Sequence, residues 1–342
     1  MTLSIDRGAD GKISIIRCSE GEVHIHPLSD HKRRVELRPS QPDTYIPQRS
    51  VETAYSDDLI TASLEVSGFI WLCSNIARDE DGSGLEKDLT IGLFSFVPKE
   101  KFRGCRLLDF GCGSGSSSSI LARLLPDTEI VGVELNASLL RLANAKIEFY
   151  GLRNVRFEAS PSGTELPENL GSFDFILLSA VYEHLLPKER DETMPLVWSA
   201  LRPGGILFVN QTPHRYFPID LHSSGLPLVN YLPDRLAHKA VVRFSKWSTI
   251  NKSPVWEEHL RGGLRGGTEA DILRKVSKGN NGRPTLLEPC IPGVKDRVDL
   301  WYWRLSSRHR PIKRAAWLLL KTVYFMTGSV VTPNVAVAIQ KS

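Results

Sequence analysis

The sequence predicts a doubly wound α/β fold, a mostly parallel sheet with helices on both faces. Three observations carry this. The apolar run at residues 107–110 ends in Asp109-Phe110 and passes straight into the glycine-rich turn Gly111-Cys112-Gly113-Ser114-Gly115. Short apolar runs at 129–135, 155–157, 173–179 and 206–209 then alternate with helical stretches, the rhythm of strand-helix-strand units. Two further apolar segments, 285–288 and 334–340, read as the last two strands and return the chain to the sheet. In sheets of this kind ligands bind beyond the carboxyl ends of the strands.

Taken in order, residues 1–50 are polar with alternating pieces at 12–16 and 23–25, which fits a small β element or a loosely attached arm. Residues 59–76 and 89–96 have helical periodicity, ending at Pro98. After the glycine turn, Ser116 to Ser119 open a helix carrying Ile120, Leu121, Leu124 and Leu125, whose positive N-terminal end faces the same place as the turn. The 129–135 strand ends on Glu134, and a carboxylate there can accept both hydroxyls of a ribose. Helices follow at 139–150, stopped by Gly151, and at 194–201; Pro203-Gly204-Gly205 turns the chain into the 206–209 strand. Thr268 is the expected N-cap of a helix over 268–276. These divisions give an N-terminal arm and helical lid (1–100), a cofactor-binding core (101–210), a substrate-cap insertion (211–267) and a C-terminal completion of the sheet (268–342).

Ser116 stands where a dinucleotide fingerprint, G-x-G-x-x-G, has its third glycine or an equally close-packing residue. The pattern here is D-x-G-x-G-x-G instead, and at this point the chain resembles the class I, Rossmann-like S-adenosylmethionine-dependent methyltransferases. The blocks FDFILLSAVYEHL and LRPGGILFVNQTP look like the fourth- and fifth-strand segments of that class, closest in look to its small-molecule methyltransferases. With the glycine turn and Glu134 they make ordered matches over roughly 100 residues. The closing pair 285–288 and 334–340 resembles the antiparallel ending of that class, which implies an antiparallel last strand. The resemblance implies S-adenosylmethionine bound over Gly111, Gly113, Gly115 and Glu134, with Asp109 orienting the loop and the cofactor's amino-acid end. Ser179 is expected at the same site. Many relatives have an acidic residue after the third strand that contacts adenine; Ser160 stands there instead. In similar enzymes helices before the first strand cover the cofactor, which makes Tyr55 and Trp71 either lid residues or core.

In similar small-molecule methyltransferases a Glu-His pair follows the fourth strand, here Glu183-His184. Imidazole titrates near neutral pH, so His184 is the candidate base for a hydroxyl acceptor, with a structural hydrogen bond as its other possible role. Tyr182 is a candidate wall of the methyl pocket. The segment after the fifth strand, dense in polar and aromatic residues, supplies His214, Arg215 and His222 as candidate substrate-binding residues. His214, Asp220 and His222 also invite a metal reading, but no Cys pair or H-E-x-x-H spacing supports it, and no metal is expected.

The acceptor implied is a small molecule or a glycan- or lipid-linked hydroxyl. A net charge of +4 does not point to nucleic acid, and the one hint of it is a basic face at Arg235, Lys239, Arg243 and Lys246. RNA or protein methylation, and a non-catalytic cofactor-binding scaffold, are the competing functions. Five scattered cysteines without a C-x-x-C fit thiols in a reducing cytoplasm. The polar, acid-bearing first ten residues do not read as a secretory leader. Near the C-terminus Trp301, Trp303, Arg304, Arg308, Arg310, Lys313 and Arg314 precede an amphipathic stretch at 315–325. It reads as a helix packed on the sheet, with peripheral contact to an anionic membrane as the alternative.

Overall fold

The computed structural model describes residues 3–6, 13–29, 31–82, 84–245, 253–278, 282–305 and 310–342. The N-terminal part is a five-stranded antiparallel sheet in sequential order: β1 (Ser4–Asp6), β2 (Ser14–Cys18), β3 (Gly21–Ser29), β4 (Lys32–Pro39) and β5 (Ser50–Thr53). It is not a loose arm. Ile16, Val23, Ile25, Val35 and Leu37 alternate onto one face and are buried against α1 (Asp57–Ser67) and α2 (Leu72–Glu80). The single helix expected over 59–76 is broken at Gly68, which takes a left-handed φ of +75°, and the two pieces are bent by 120°. A third helix, α3 (Leu85–Phe94), leads to the main sheet.

That sheet is built from β6 (Arg106–Phe110), α4 (Ser116–Leu124), β7 (Glu129–Glu134), α5 (Ala137–Phe149), β8 (Val155–Ala159), β9 (Phe173–Ser179), α6 (Pro187–Ala200) and β10 (Leu201–Pro213). The insertion holds α7 (Asp234–Phe244) and α8 (Trp256–Arg261), and the chain closes with α9 (Glu269–Val276), β11 (Pro284–Leu286), α10 (Arg297–Arg304), α11 (Arg310–Thr327) and β12 (Asn334–Lys341). The seven strands lie in the order β11-β12-β10-β9-β6-β7-β8. Those from β10 to β8 are parallel, and β12 is antiparallel to both its neighbours, as expected. Successive residues of one strand feed opposite cores: Leu107 packs with Phe102, Phe175 and Phe208, while Leu108 packs with Ile176, Met194 and Trp198.

Several boundaries move for local reasons. α6 starts at Pro187, ahead of the expected 194, because proline suits the first helical position and the Glu189 side chain accepts the Leu186 N–H at 2.9 Å. Thr268 caps α9 as expected, its hydroxyl accepting the Asp271 N–H at 3.1 Å. α11 does not pack broadly on the sheet: Leu320 alone is buried, and Ile312, Leu318, Leu319, Phe325 and Met326 face solvent. Arg308 and Lys246 lie outside the described residues. No single described helix is long and apolar enough to cross a membrane.

Candidate functional site

β6 delivers its backbone into the glycine turn with Gly111, Gly113 and Gly115 at φ of +70°, +56° and +75°. A side chain at Gly111 would strike Val181 at 2.9 Å, and one at Gly115 would strike Ala143 and Phe157 at 2.8 Å. At Gly113 nothing lies within 4 Å, so this residue presents bare backbone to open space. Asp109, 1% exposed, accepts hydrogen bonds of 2.6 Å from the Ser117 and Ser118 hydroxyls and thereby ties the strand end to the first turn of α4. Burial holds its carboxyl above the usual range, against the pull of those hydroxyls. The loop-orienting half of the expectation for Asp109 thus has a concrete form.

Glu134, at the end of β7, faces the same turn. One carboxylate oxygen accepts the Gly113 N–H at 3.0 Å, and the other accepts the N–H groups of Leu135 and Asn136 at 2.9 Å. A carboxylate offers about four lone-pair positions, so room remains for one ribose hydroxyl without displacing backbone. The single Ser160 hydroxyl proton is shared between the Ser162 and Glu165 carbonyls at 3.0 and 2.5 Å, which leaves the oxygen lone pairs for an amino group. The Ser160 backbone N–H is held by the Glu134 carbonyl at 3.0 Å, which fastens the β8 exit to the β7 exit.

A second layer beneath the turn was missed in the sequence. The Lys146 ammonium of α5 lies 2.6 Å from Asp79 of α2 and 3.2 Å from the hydroxyls of Ser114 and Ser116. The Tyr55 hydroxyl donates to the same Asp79 oxygen at 2.6 Å, so Tyr55 is a core residue and not a cofactor cover. Burial pushes the Lys146 ammonium below the usual lysine range, against the pull of Asp79. The available signal was a lysine and an aspartate each standing on the apolar face of its helix, Lys146 four residues after Leu142 and Asp79 three after Ile76.

At the ends of β9 and β10, Ala180 and Gln211 take left-handed φ of +55° and +64°, conformations that non-glycine residues hold where the surrounding structure fixes them. The Ser179 hydroxyl is buried there without a partner. Gly92 lets α3 approach closely, because a side chain would collide with the Asn210 amide, and α3 thereby brings Asp88 to Gln211 at 2.9 Å. His184 sits just after β9 with Nδ1 2.6 Å from the Arg261 carbonyl, and Glu183 beside it is fully buried. The expected structural hydrogen bond of His184 is therefore present, and the ring's other nitrogen stays available.

The remaining candidates part company. Tyr182 is 0% exposed, its hydroxyl on Asp271 and the Arg190 guanidinium 4.5 Å over its ring, so it packs and does not line a pocket. His214 borders a cavity of about 400 Å³ with Asp88, Trp301 and Arg304. Arg215 borders another, of about 570 Å³, with Arg190, Arg265 and Arg274. Arg190 and Arg265 are spent on backbone carbonyls, and Arg274 pairs with Asp271. His222 instead approaches His184, ring centroids 5.7 Å apart. Asp220 is no ligand: it accepts the Ser223 and Ser224 hydroxyls at 2.7 and 2.6 Å and pins the loop.

Residues fitting S-adenosylmethionine are thus assembled: an open backbone edge at Gly113, a carboxylate with a free lone-pair position at Glu134, and an orphaned hydroxyl at Ser179. Residues 107–205 match the family model described as a methyltransferase domain. A trans-aconitate 2-methyltransferase of Deinococcus radiodurans is 30% identical over 117 residues, 34% of this chain and 41% of that protein. An arsenite methyltransferase of Aquipseudomonas alcaligenes is 32% identical over 114 residues, 31% of this chain and 32% of that protein. The chain thus spans less than half the length of either relative. A solved structure, PKMT2 from Rickettsia typhi, aligns over 76% of this chain and 53% of its own with a TM-score of 0.44 and 17% identity. Residues 107–205 thus carry the match to a methyltransferase domain, and with the geometry of the glycine turn they support a class I S-adenosylmethionine-dependent methyltransferase.

Proposed function

We propose that the protein transfers the methyl group of S-adenosylmethionine to a small-molecule acceptor, at a hydroxyl, the acceptor carrying an anionic group. The observation that supports the cofactor half most directly is the Glu134 carboxylate hydrogen-bonded across to the open Gly113 edge. The cofactor supplies the activated methyl on its sulfonium; the chain supplies position and charge. Asp109 and the Lys146 layer hold the turn, and Glu134 orients the ribose. The basic atom at the β9 exit is His184 Nε2, since Nδ1 must donate to the Arg261 carbonyl. The Arg215 side chain, half-buried and with no hydrogen bond or ion pair to a described residue, is a free cation for an anionic acceptor group, its backbone N–H being held by the Gly267 carbonyl. The two named relatives act, by their names, on trans-aconitate and arsenite, although their match lies in the core and the acceptor choice would lie in residues 211–267. Five unpaired cysteines support a reducing, cytoplasmic setting.

Calorimetric titration with S-adenosylmethionine and S-adenosylhomocysteine tests this reading. Both should bind, at least about tenfold more weakly in Glu134→Ala, which loses a charged hydrogen bond and the Gly113 anchor. NAD should not bind. A folded chain that ignores both sulfur ligands, or prefers NAD, would sink the assignment.

A further inference from the structure

Three side chains from two loops converge beyond the β9 end. Glu183 is 0% exposed; one carboxylate oxygen accepts the Thr212 hydroxyl at 3.0 Å, and the other, equally buried, has no hydrogen-bond partner. That orphaned oxygen faces His184 Nε2 at 3.9 Å, too far for a hydrogen bond. The Arg261 carbonyl holds His184 Nδ1–H, and this same bond leaves Nε2, the nitrogen nearer Glu183, with a bare lone pair. His222 completes the group: one ligand atom from each residue lies within 4.8 Å of the others. The backbone is shaped for this meeting. Gly263 has φ of +89°, and a side chain there would come within 2.6 Å of His222 Nε2 and 3.4 Å of Glu183 Cγ. The loop that carries His222 is set by the Asp220 carboxylate, which accepts the His222 backbone N–H at 3.2 Å.

We propose that Glu183, His184 and His222 form a site for one divalent first-row transition-metal ion. Metal bonds to imidazole nitrogen and carboxylate oxygen are about 2.1 Å, so two ligands of one ion stand at most about 4.2 Å apart, and the Glu183–His184 pair at 3.9 Å already does. Drawing in His222 needs less than about 1 Å of side-chain movement. Two imidazoles and a carboxylate favour zinc- or cobalt-like ions over magnesium or calcium, which take oxygen shells. Three protein ligands leave coordination positions open, and an acceptor oxygen bound there would be more acidic, so that the ion takes the place of His184 Nε2 as the activating group when bound. That last use rests on the methyl-transfer reading; the metal site does not.

The test uses the full chain, stripped with chelator and titrated with Zn²⁺ and Mg²⁺ by calorimetry and with Co²⁺ by visible absorption. One Zn²⁺ or Co²⁺ should bind per chain, Mg²⁺ more weakly. Glu183→Gln, which keeps the Thr212 bond, His184→Ala and His222→Ala should each weaken Zn²⁺ by at least about tenfold, with folding checked by circular dichroism, while the exposed His31→Ala should not. No binding by folded protein, or affinity undiminished in any of the three variants, overturns the site. S-adenosylhomocysteine titrated onto the stripped chain separates the two failures, because cofactor binding there does not depend on the ion.

Discussion

A histidine that is 6% exposed, with Nδ1 accepting a backbone N–H from Tyr216 at 3.1 Å and its other nitrogen on the Val330 carbonyl, can stay neutral without rearrangement but cannot easily charge. Burial pulls the His214 imidazole down to about 4 from its ordinary 6.5. The sign follows from linkage. Above the unfolded value both states are neutral and His214 costs nothing. Between about 6.5 and about 4 the unfolded chain binds the proton and the folded chain does not, so stability falls as pH falls through that window. The full loss is about 3.5 kcal/mol, at roughly 1.4 kcal/mol per pKa unit. His214→Gln, whose amide can accept from Tyr216 and donate to Val330, should flatten the acid side of a melting-temperature profile. A profile as steep as the parent's would remove His214 as its source. The role assigned to this residue is then structural, a neutral peg between β10 and the segment before β12.

At the scale of elements, α11 is held by polar anchors. Trp317 donates to Asp299 at 2.9 Å, and Lys321 pairs with Asp296 and Asp299 at the start of α10. These attractions raise the Lys321 ammonium above its usual range even though burial opposes them. Ile312, Leu319 and Met326 recur every seven residues on the outer side, with 71%, 65% and 77% of their surfaces exposed. Replacing Leu319 or Phe325 by Gln should therefore change stability by no more than about 0.5 kcal/mol. Lys321→Ala should cost about 1–3 kcal/mol, because it leaves two neighbouring carboxylates without their cation. Thermal melts decide the matter, and a larger loss at Leu319 than at Lys321 would mean that the apolar side is covered. Lys321 interrupts the apolar run of residues 315–326, and in the structure it is the attachment point. Apolar content alone does not say which side of a helix meets the protein.

For the whole molecule, what could be read in advance was what is local. The centre of a buried strand such as 173–179 is apolar, unbroken from Phe175 to Leu178, because both faces are covered, and the glycine turn writes its backbone requirement into closely spaced residues. Contacts made by tertiary packing left fainter marks: His222 reaches Glu183 and His184 only through the Asp220 loop and the Gly263 turn, and no spacing template describes that path. The same holds for the link between the N-terminal unit and the cofactor loop. Tyr55, Asp79, Lys146 and the Ser114 and Ser116 hydroxyls form one buried chain of hydrogen bonds from the small sheet's core to the glycine turn. Removing one charge from such a pair strands the other in low dielectric, at a cost of about 3–5 kcal/mol, whereas removing both can be nearly neutral. Lys146→Met and Asp79→Leu should each lower stability by about that amount, and the double variant should recover most of it. The loop, however, would still lack the ammonium that holds Ser114 and Ser116. The double variant should therefore melt near the parent yet bind S-adenosylhomocysteine more weakly, by about tenfold for the loss of two hydrogen bonds from a charged donor. Additive losses in the melts would mean that the pair is not coupled, and unchanged ligand affinity would mean that the N-terminal unit does not support the turn.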